Sequence, residues 1–138
     1  LLESQKMTEQ EAECIRIWDI RRFVESGLGQ RMKKAAMKKH LYREQPFVIQ
    51  RSASMLDDGW KNETVLVQGI IDAYFMEEEE IVLVDYKTDR VKRGQEQKLI
   101  DLYHVQLEDY ARALERMTGK RVKEKIIYSF TLQKEILL

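Results

Sequence analysis

Apolar residues recur with a helical rhythm at the start of the chain. Ala12, Ile15 and Phe23 fall on one helical face with Trp18 at its edge, while Ile17, Ile20 and Val24 form a second strip. Asp19 interrupts the first face. Thr8 and Glu11 have the S/T-x-x-E spacing of a capping box. The pattern therefore predicts a helix over residues 8–24, covered on two sides and with Trp18 in the core. Ser26-Gly27 ends it and is placed to cap a second, basic helix over 28–39. There Arg31, Lys33, Lys34, Lys38 and Lys39 surround Met32, Ala35, Ala36 and Met37.

The rhythm changes after His40. Pro46 to Gln50 is a short apolar run that suits a strand, and the polar stretch 51–63 reads as a loop. Thr64 to Phe75 reads as a long strand, in which Gly69 implies a bend or a close backbone approach. Glu77 to Glu80 is an acidic turn. Ile81 to Lys87 follows as a strand whose first four residues are apolar on both faces, as in the middle of a sheet. Residues 88–98 are charged. A helix starting at Gln95 or Leu99 and running to Met117 carries the stripe Leu99, Tyr103, Leu107, Tyr110, Leu114 and Met117, and Thr118-Gly119 ends it. Val122 to Leu132 reads as a last strand, with Ile126, Tyr128 and Phe130 on one face and Ile127 on the other. This order predicts an α/β domain with a central mixed sheet.

Composition narrows the picture. The 138 residues (16.5 kDa) suffice for one core, so residues 1–138 are expected to form a single domain. The 24 basic residues balance the 24 acidic ones, which excludes a uniformly basic nucleic-acid coat but leaves local patches open. The single cysteine, Cys14, excludes an intramolecular disulfide and a Cys-based zinc site, and suggests a reducing, cytoplasmic setting. No apolar run has the length of a membrane span. The chain opens on Leu1, and is expected to be a piece of something longer.

The candidate chemistry lies between Gln68 and Arg90. Asp72 stands inside one strand, and Asp85 and Lys87 stand at the end of the next. Asp85 and Lys87 are two apart and share a face of the sheet. If a tight turn near Met76 to Glu80 pairs the strands, Asp72 lies across the ladder from Asp85. Buried carboxylates brought together repel unless a cation intervenes, and magnesium prefers oxygen ligands. Lys87 beside such a metal could activate water or stabilise charge on an attacked phosphate. Taken alone, an Asp-x-Lys triplet on a strand is more often a surface ion pair; the signal is its combination with Gly-x-x-Asp in the preceding strand and the acidic turn between them. Gln106 and Tyr110 share one face of the following helix. Gln106 alone could be a satisfied core amide, whereas after Asp-x-Lys it reads as a polar group aimed at the site or at a DNA strand. The basic run Arg31 to Arg43 is open to two readings, a phosphate contact or a solvated helix face.

Taken together, Gly69-Ile70-Ile71-Asp72, Val84-Asp85-Tyr86-Lys87-Thr88 and Gln106-Leu107-x-x-Tyr110-Ala111 resemble the RecB-type branch of the PD-(D/E)XK nucleases. Leu41 to Phe47 and Asp85 to Val91 bring the resemblance nearer to the C-terminal nuclease domain of AddA (RexA) helicase–nuclease subunits. The resemblance implies a restriction-endonuclease-like central mixed β-sheet flanked by helices. It also implies a Mg2+-dependent (Mn2+ possible) DNA exonuclease acting in double-strand-break repair and recombination. Asp72, Asp85 and the backbone carbonyl of Tyr86 would be metal ligands, Lys87 the catalytic lysine, and Gln106 and Tyr110 the Q-x-x-x-Y pair. Glu44 matches a family glutamate. Implied partners are DNA and an AddB-type subunit, with no membrane. No G-x-x-x-x-G-K motif occurs, so ATP would enter only through helicase domains not in this chain.

Two departures accompany the match. Ile71 stands where the family name has proline, and the G-T-x-x-H motif with its metal-binding histidine does not occur. His40 and His104 lack its context. The expectation is a nuclease domain lacking its N-terminal helix, with an incomplete metal site and weak or absent activity. The alternative is a catalytically inactive, nuclease-like fold kept for docking a partner subunit or holding DNA.

Overall fold

The computed structural model describes residues 9–52 and 64–138, with the backbone alone at 9–16, 51 and 52. The Thr8–Glu11 cap, the Ala12 and Ile15 side chains and the loop residues 53–63, including Trp60, lie outside the described residues. Two helices, α1 (Glu9–Glu25) and α2 (Gly27–Met37), lead into β1 (Leu41–Ser52), β2 (Thr64–Glu77) and β3 (Glu80–Lys87). Helix α3 (Glu96–Thr118) then carries the chain to β4 (Val122–Ser129) and β5 (Lys134–Leu137). The strands form one sheet in the order β1-β2-β3-β4-β5. Only β3 and β4 run parallel, as the α3 crossover between them requires. The sheet is therefore mixed and flanked by helices, the restriction-endonuclease-like α/β architecture.

Each face of the sheet has its own core. Leu28, Met32 and Ala35 of α2 pack on Ala73, Phe75, Val82, Val84, Ile126 and Tyr128. Leu99, Leu107, Tyr110 and Leu114 of α3 pack on Leu83, Ile81 and Ile127 on the other side. Ile81 to Val84 are wholly buried, so β3 is the central strand that its unbroken apolar run predicts. Each such side chain contributes roughly 1.5–3 kcal/mol of burial.

Local chemistry explains the joints. The Ser26 hydroxyl accepts from Gly29 N–H at 3.0 Å, capping α2 as expected. Gly29 has no room for a side chain, because a Cβ would stand 2.1 Å from the Phe23 carbonyl oxygen. Gly119, at φ 70°, closes α3. The turn between β2 and β3 is two residues long, and Glu78 and Glu79 both take positive φ (50° and 71°), the geometry of a tight hairpin.

Several expectations need correction. β1 starts at Leu41, not Pro46; Pro46 is tolerated because β1 is an edge strand paired only with β2. The strand expected to reach Leu132 stops at Ser129, and a turn through Gln133 (φ 55°) opens the short β5, whose four residues, two polar and two apolar, are too few to carry a strand signal. Among its described side chains, residues 17–25, helix α1 is covered on one side only. Phe23 packs edge-on against Tyr86 and Tyr128, while Ile17, Trp18, Ile20 and Val24 are exposed. Trp18 is thus a surface residue beside Arg22, not core. Met117 is likewise exposed at the end of its stripe.

Candidate active site

The ladder between β2 and β3 pairs Ala73 with Val84 as its last registered step, so Asp72 and Asp85 stand opposite each other where the strands part. Strand alternation sends Asp85 and Lys87 to the α3 face and the Tyr86 ring to the other, where its hydroxyl meets the Met32 sulfur. The Tyr86 amide donates to Asp72 Oδ2 at 2.9 Å, which fixes that carboxylate beside the end of β3. The Tyr86 carbonyl lies on the same edge of the strand as its amide.

A slip in the alternation helps to open this corner. Ala73 and Phe75 face α2, yet Ile71, of the same parity, packs under α3 with Val67. The change falls at the level of Asp72 and of Glu44, which lies between the pairs Arg43–Ala73 and Gln45–Ile71 and takes φ 49°. Glu44 itself is exposed.

Asp85 is 3% exposed, and burial pushes its carboxyl up to about 6; Lys87 pulls the other way and Asp72 adds to the rise. Lys87 Nζ stands 2.8 Å from Asp85 Oδ2, a charge contact that lacks the direction of a hydrogen bond. Among the described residues, Asp85 Oδ2 is a buried oxygen with no hydrogen-bond partner. That is an expensive arrangement for a carboxylate facing a second one.

The lysine is positioned from three sides. Its Nζ donates to Gln106 Oε1 at 3.1 Å, contacts Asp85, and lies 3.9 Å from the centre of the Tyr103 ring. The Tyr103 hydroxyl donates to Asp89 Oδ2 at 2.7 Å, which holds the ring, and that hydrogen bond leads in pushing the hydroxyl's pKa up to about 12. Tyr103 and Asp89 are the functional neighbours that periodicity alone does not reveal, since it assigns Tyr103 only to the core stripe. The signal available was spacing, because Tyr103 stands three residues before Gln106 on the same helix face.

Tyr110 stands behind this group, its ring edge-on to Phe47 at 5.0 Å. Burial, then Asp85 and Asp72, push its hydroxyl up to about 12. A Cβ at Gly69 would come within 3.0 Å of the Phe47 ring, so the glycine is the close backbone approach expected there. Phe47, Gly69, Val105, Gln106 and Tyr110 line a groove of about 310 Å³, and Gln106, the partner of Lys87, joins it to the acidic pair.

The structure thus unites Asp72, Asp85, Lys87 and Gln106 through direct contacts and sets Tyr110 against them, while Glu44 faces solvent. Among the described residues no three His, Cys, Asp or Glu side chains converge. The donor set still suits a hard divalent cation. Such an ion accepts one or two carboxylates and keeps its waters, and Asp85 offers an oxygen without a hydrogen-bond partner.

This arrangement, an acidic pair and a lysine at the parting of two strands in a mixed sheet, is a side-chain set suited to the hydrolysis of phosphodiesters, the chemistry of the nuclease class. A family model described as the PD-(D/E)XK nuclease superfamily matches residues 3–136, and the chain belongs to that superfamily. Members of it generally use divalent metals. The chain is 40% identical over 99% of its length to an ATP-dependent helicase/nuclease subunit from Clostridium novyi. It is 42% identical over 94% to the corresponding helicase/nuclease subunit of a Thermoanaerobacter species and 46% identical over 90% to that of Acetivibrio thermocellus. The chain spans about a tenth of the length of these curated relatives: 11%, 11% and 10%. No helix among the described residues is long and apolar enough to cross a membrane.

Proposed function

We propose that the chain is a single nuclease domain of an ATP-dependent helicase–nuclease, a magnesium-dependent DNA exonuclease acting in double-strand-break repair and recombination in the cytoplasm. The observation that carries this reading is the buried Asp85 oxygen without a hydrogen-bond partner, beside Asp72 and under Lys87. Asp72, Asp85 and the Tyr86 carbonyl hold Mg2+, or Mn2+ in its place, with further positions filled by water or by groups outside the described residues. The bound ion supplies Lewis-acid polarisation of the phosphate and a more acidic water. Lys87 is the positive group closest to the reacting phosphate, and its ammonium is aimed by Gln106 and by the Tyr103 face. Tyr110 backs the groove in which the strand lies, joined to Lys87 through Gln106. ATP acts through helicase domains outside this chain, and an AddB-type subunit completes the assembly.

A second reading keeps the fold without the chemistry, as a platform for a partner subunit or for DNA. It is favoured by the lack of a third side-chain ligand among the described residues. Metal binding separates the two. Titration of Mg2+ or Mn2+ into the unmodified chain and into Asp85→Ala should show binding that depends on Asp85. Equal, negligible binding by both would favour the platform. Cleavage of linear DNA, with Lys87→Ala as control, then tests catalysis directly.

A further inference from the structure

Exposed cations without an ion-pair partner among the described residues occur on and just after α2, at Lys33, Lys34, Lys38 and Lys39, as well as near the candidate site, so the cations of this protein differ both in place and in pairing. Those from residue 120 onward are largely neutralised: Lys120 meets Glu79, Arg121 Glu80, Lys123 Glu77, Lys125 Glu108 and Lys134 Glu96. Those of the segment leading away from Lys87 are not. Arg90, Lys92, Arg93 and Lys98 are exposed, and none has an ion-pair partner among the described residues. The segment also contains two acids, one neutralised by a cation and the other keeping its charge, so an excess of positive charge remains. Asp89 accepts from the Tyr103 hydroxyl, and Glu96 pairs with Lys134.

The segment is also tied down along its length. The Thr131 hydroxyl donates to the Asp89 carbonyl at 2.7 Å, and the Lys92 amide donates to Gln95 Oε1 at 3.0 Å. Val91 packs into the α3 core while its neighbours Arg90 and Lys92 face water. Uncompensated like charges on an anchored segment raise the local potential without the ordering cost that a flexible tail incurs on binding. The segment begins at the residue that follows Tyr103's partner, three residues along the chain from Lys87, so this potential adjoins the candidate active site along the chain.

We propose that Arg90, Lys92 and Arg93, with Lys98 behind them, form a phosphate rail that grips the sugar–phosphate backbone of a single nucleic-acid strand next to the bond held at Lys87. The inference rests on the nuclease reading for its choice of ligand, and it extends that reading by naming where the uncut part of the strand is held. The rail reads charge rather than base identity, so the grip is independent of sequence.

The test measures binding rather than cleavage. Lys87→Ala protein is titrated with a labelled oligothymidylate between about 50 and 200 mM salt, and the slope of log affinity against log salt is recorded. Adding Arg90→Gln, Lys92→Gln and Arg93→Gln should make that slope shallower by about 2, at about 0.7 per phosphate contact on a single strand. Adding Lys33→Gln, Lys34→Gln and Lys38→Gln on α2 instead should change it by less than about half as much. A charge-keeping pair, Arg90→Lys with Arg93→Lys, should hold the parent slope, which guards against a folding artefact in the triple variant. An unchanged slope in the loop triple, an equal change in the α2 triple, or a lost slope in the charge-keeping pair would overturn the rail. Cleavage by the Lys87-intact chain is scored separately. A chain that grips strands through the loop but neither binds Mg2+ through Asp85 nor cuts them favours the platform over the nuclease reading and leaves the rail in place.

Discussion

On the α2 face of the sheet, Glu77 meets Arg31 and Lys123; on the α3 face, Asp85 meets Lys87 and Asp72. The first group is fully satisfied. Arg31 donates two hydrogen bonds to Glu77, at 2.7 and 3.0 Å, and two to Glu124, at 2.9 and 3.2 Å. A one-residue bulge in β4, where Ile81–Val122 gives way to Val82–Glu124, leaves Lys123 free to reach Glu77 at 3.2 Å. Arg31's hydrogen bonds hold the Glu77 carboxyl down to about 2. The second group departs from this pattern in every respect. Its central carboxyl is raised, one of its oxygens lacks a hydrogen bond, and a second carboxylate faces it. Both regions are cation–carboxylate clusters on neighbouring strands, so ion pairing as such indicates nothing about role. Completeness separates them: the first cluster is satisfied and holds elements together, whereas the second keeps an oxygen without a hydrogen bond, which supports the proposed metal site.

The contrast can be broken most forcefully at Lys87. Lys87→Met should lower DNA cleavage on the order of 10²–10³-fold, because charge stabilisation at the reacting phosphate is removed. Asp85→Asn should abolish metal binding yet leave the thermal midpoint unchanged or higher, since burial and the facing Asp72 already disfavour the charged carboxylate more than Lys87 favours it. A marked loss of stability in Asp85→Asn, seen by calorimetry, would make the site structural after all. On the other face, Arg31→Met should cost about 2–3 kcal/mol in urea unfolding, because it strands two carboxylates, and should leave metal binding intact.

Acid titration gives a smaller, signed effect. The Glu77 carboxyl sits below its ordinary value of 4.5, so its stabilisation is present above about pH 4.5 and is lost as pH falls toward about 2. With the Glu77 and Arg31 side chains 28% and 30% exposed, solvent screening reduces the effect to about 1–2 kcal/mol. The unfolding curve of Glu77→Gln should therefore be flatter than the parent's across that window. A parallel curve would show that the network contributes nothing to pH dependence. The smallest expected effect is at Gln106. Gln106→Leu removes one hydrogen bond to Lys87 while the Tyr103 ring remains, so cleavage should fall by about tenfold, equivalent to about 1–1.5 kcal/mol, with melting unchanged.

The site was readable to an unusual degree because strands have a period of two. That period places Asp85 and Lys87 on one face before any coordinate is known, and a tight acidic turn brings Asp72 opposite. Helical spacing likewise puts Gln106 and Tyr110 on one face of α3. The expectation failed where a role depends on what lies across the interior. Trp18 carries a core composition, but only Phe23 of its helix meets the sheet within the described residues. Arg31 lay within a run open to a DNA reading, and it is held by carboxylates 46 and 93 residues away. Tyr103 looks like one more stripe residue until Lys87 is found over its ring.

The sequence by itself determined the periodicities, and with them the two faces of each strand, the helix that crosses between β3 and β4, and the residues able to supply acid–metal chemistry. Those follow from local geometry, which repeats within a few residues. Tertiary structure alone decided which charges are neutralised and which remain available. That outcome depends on long-range neighbours: Glu124 for Arg31, Gln106 for Lys87, Lys134 for Glu96. The zero net charge of the chain conceals this division, because opposite charges cancel in a sum wherever they lie but in a folded protein only where they meet.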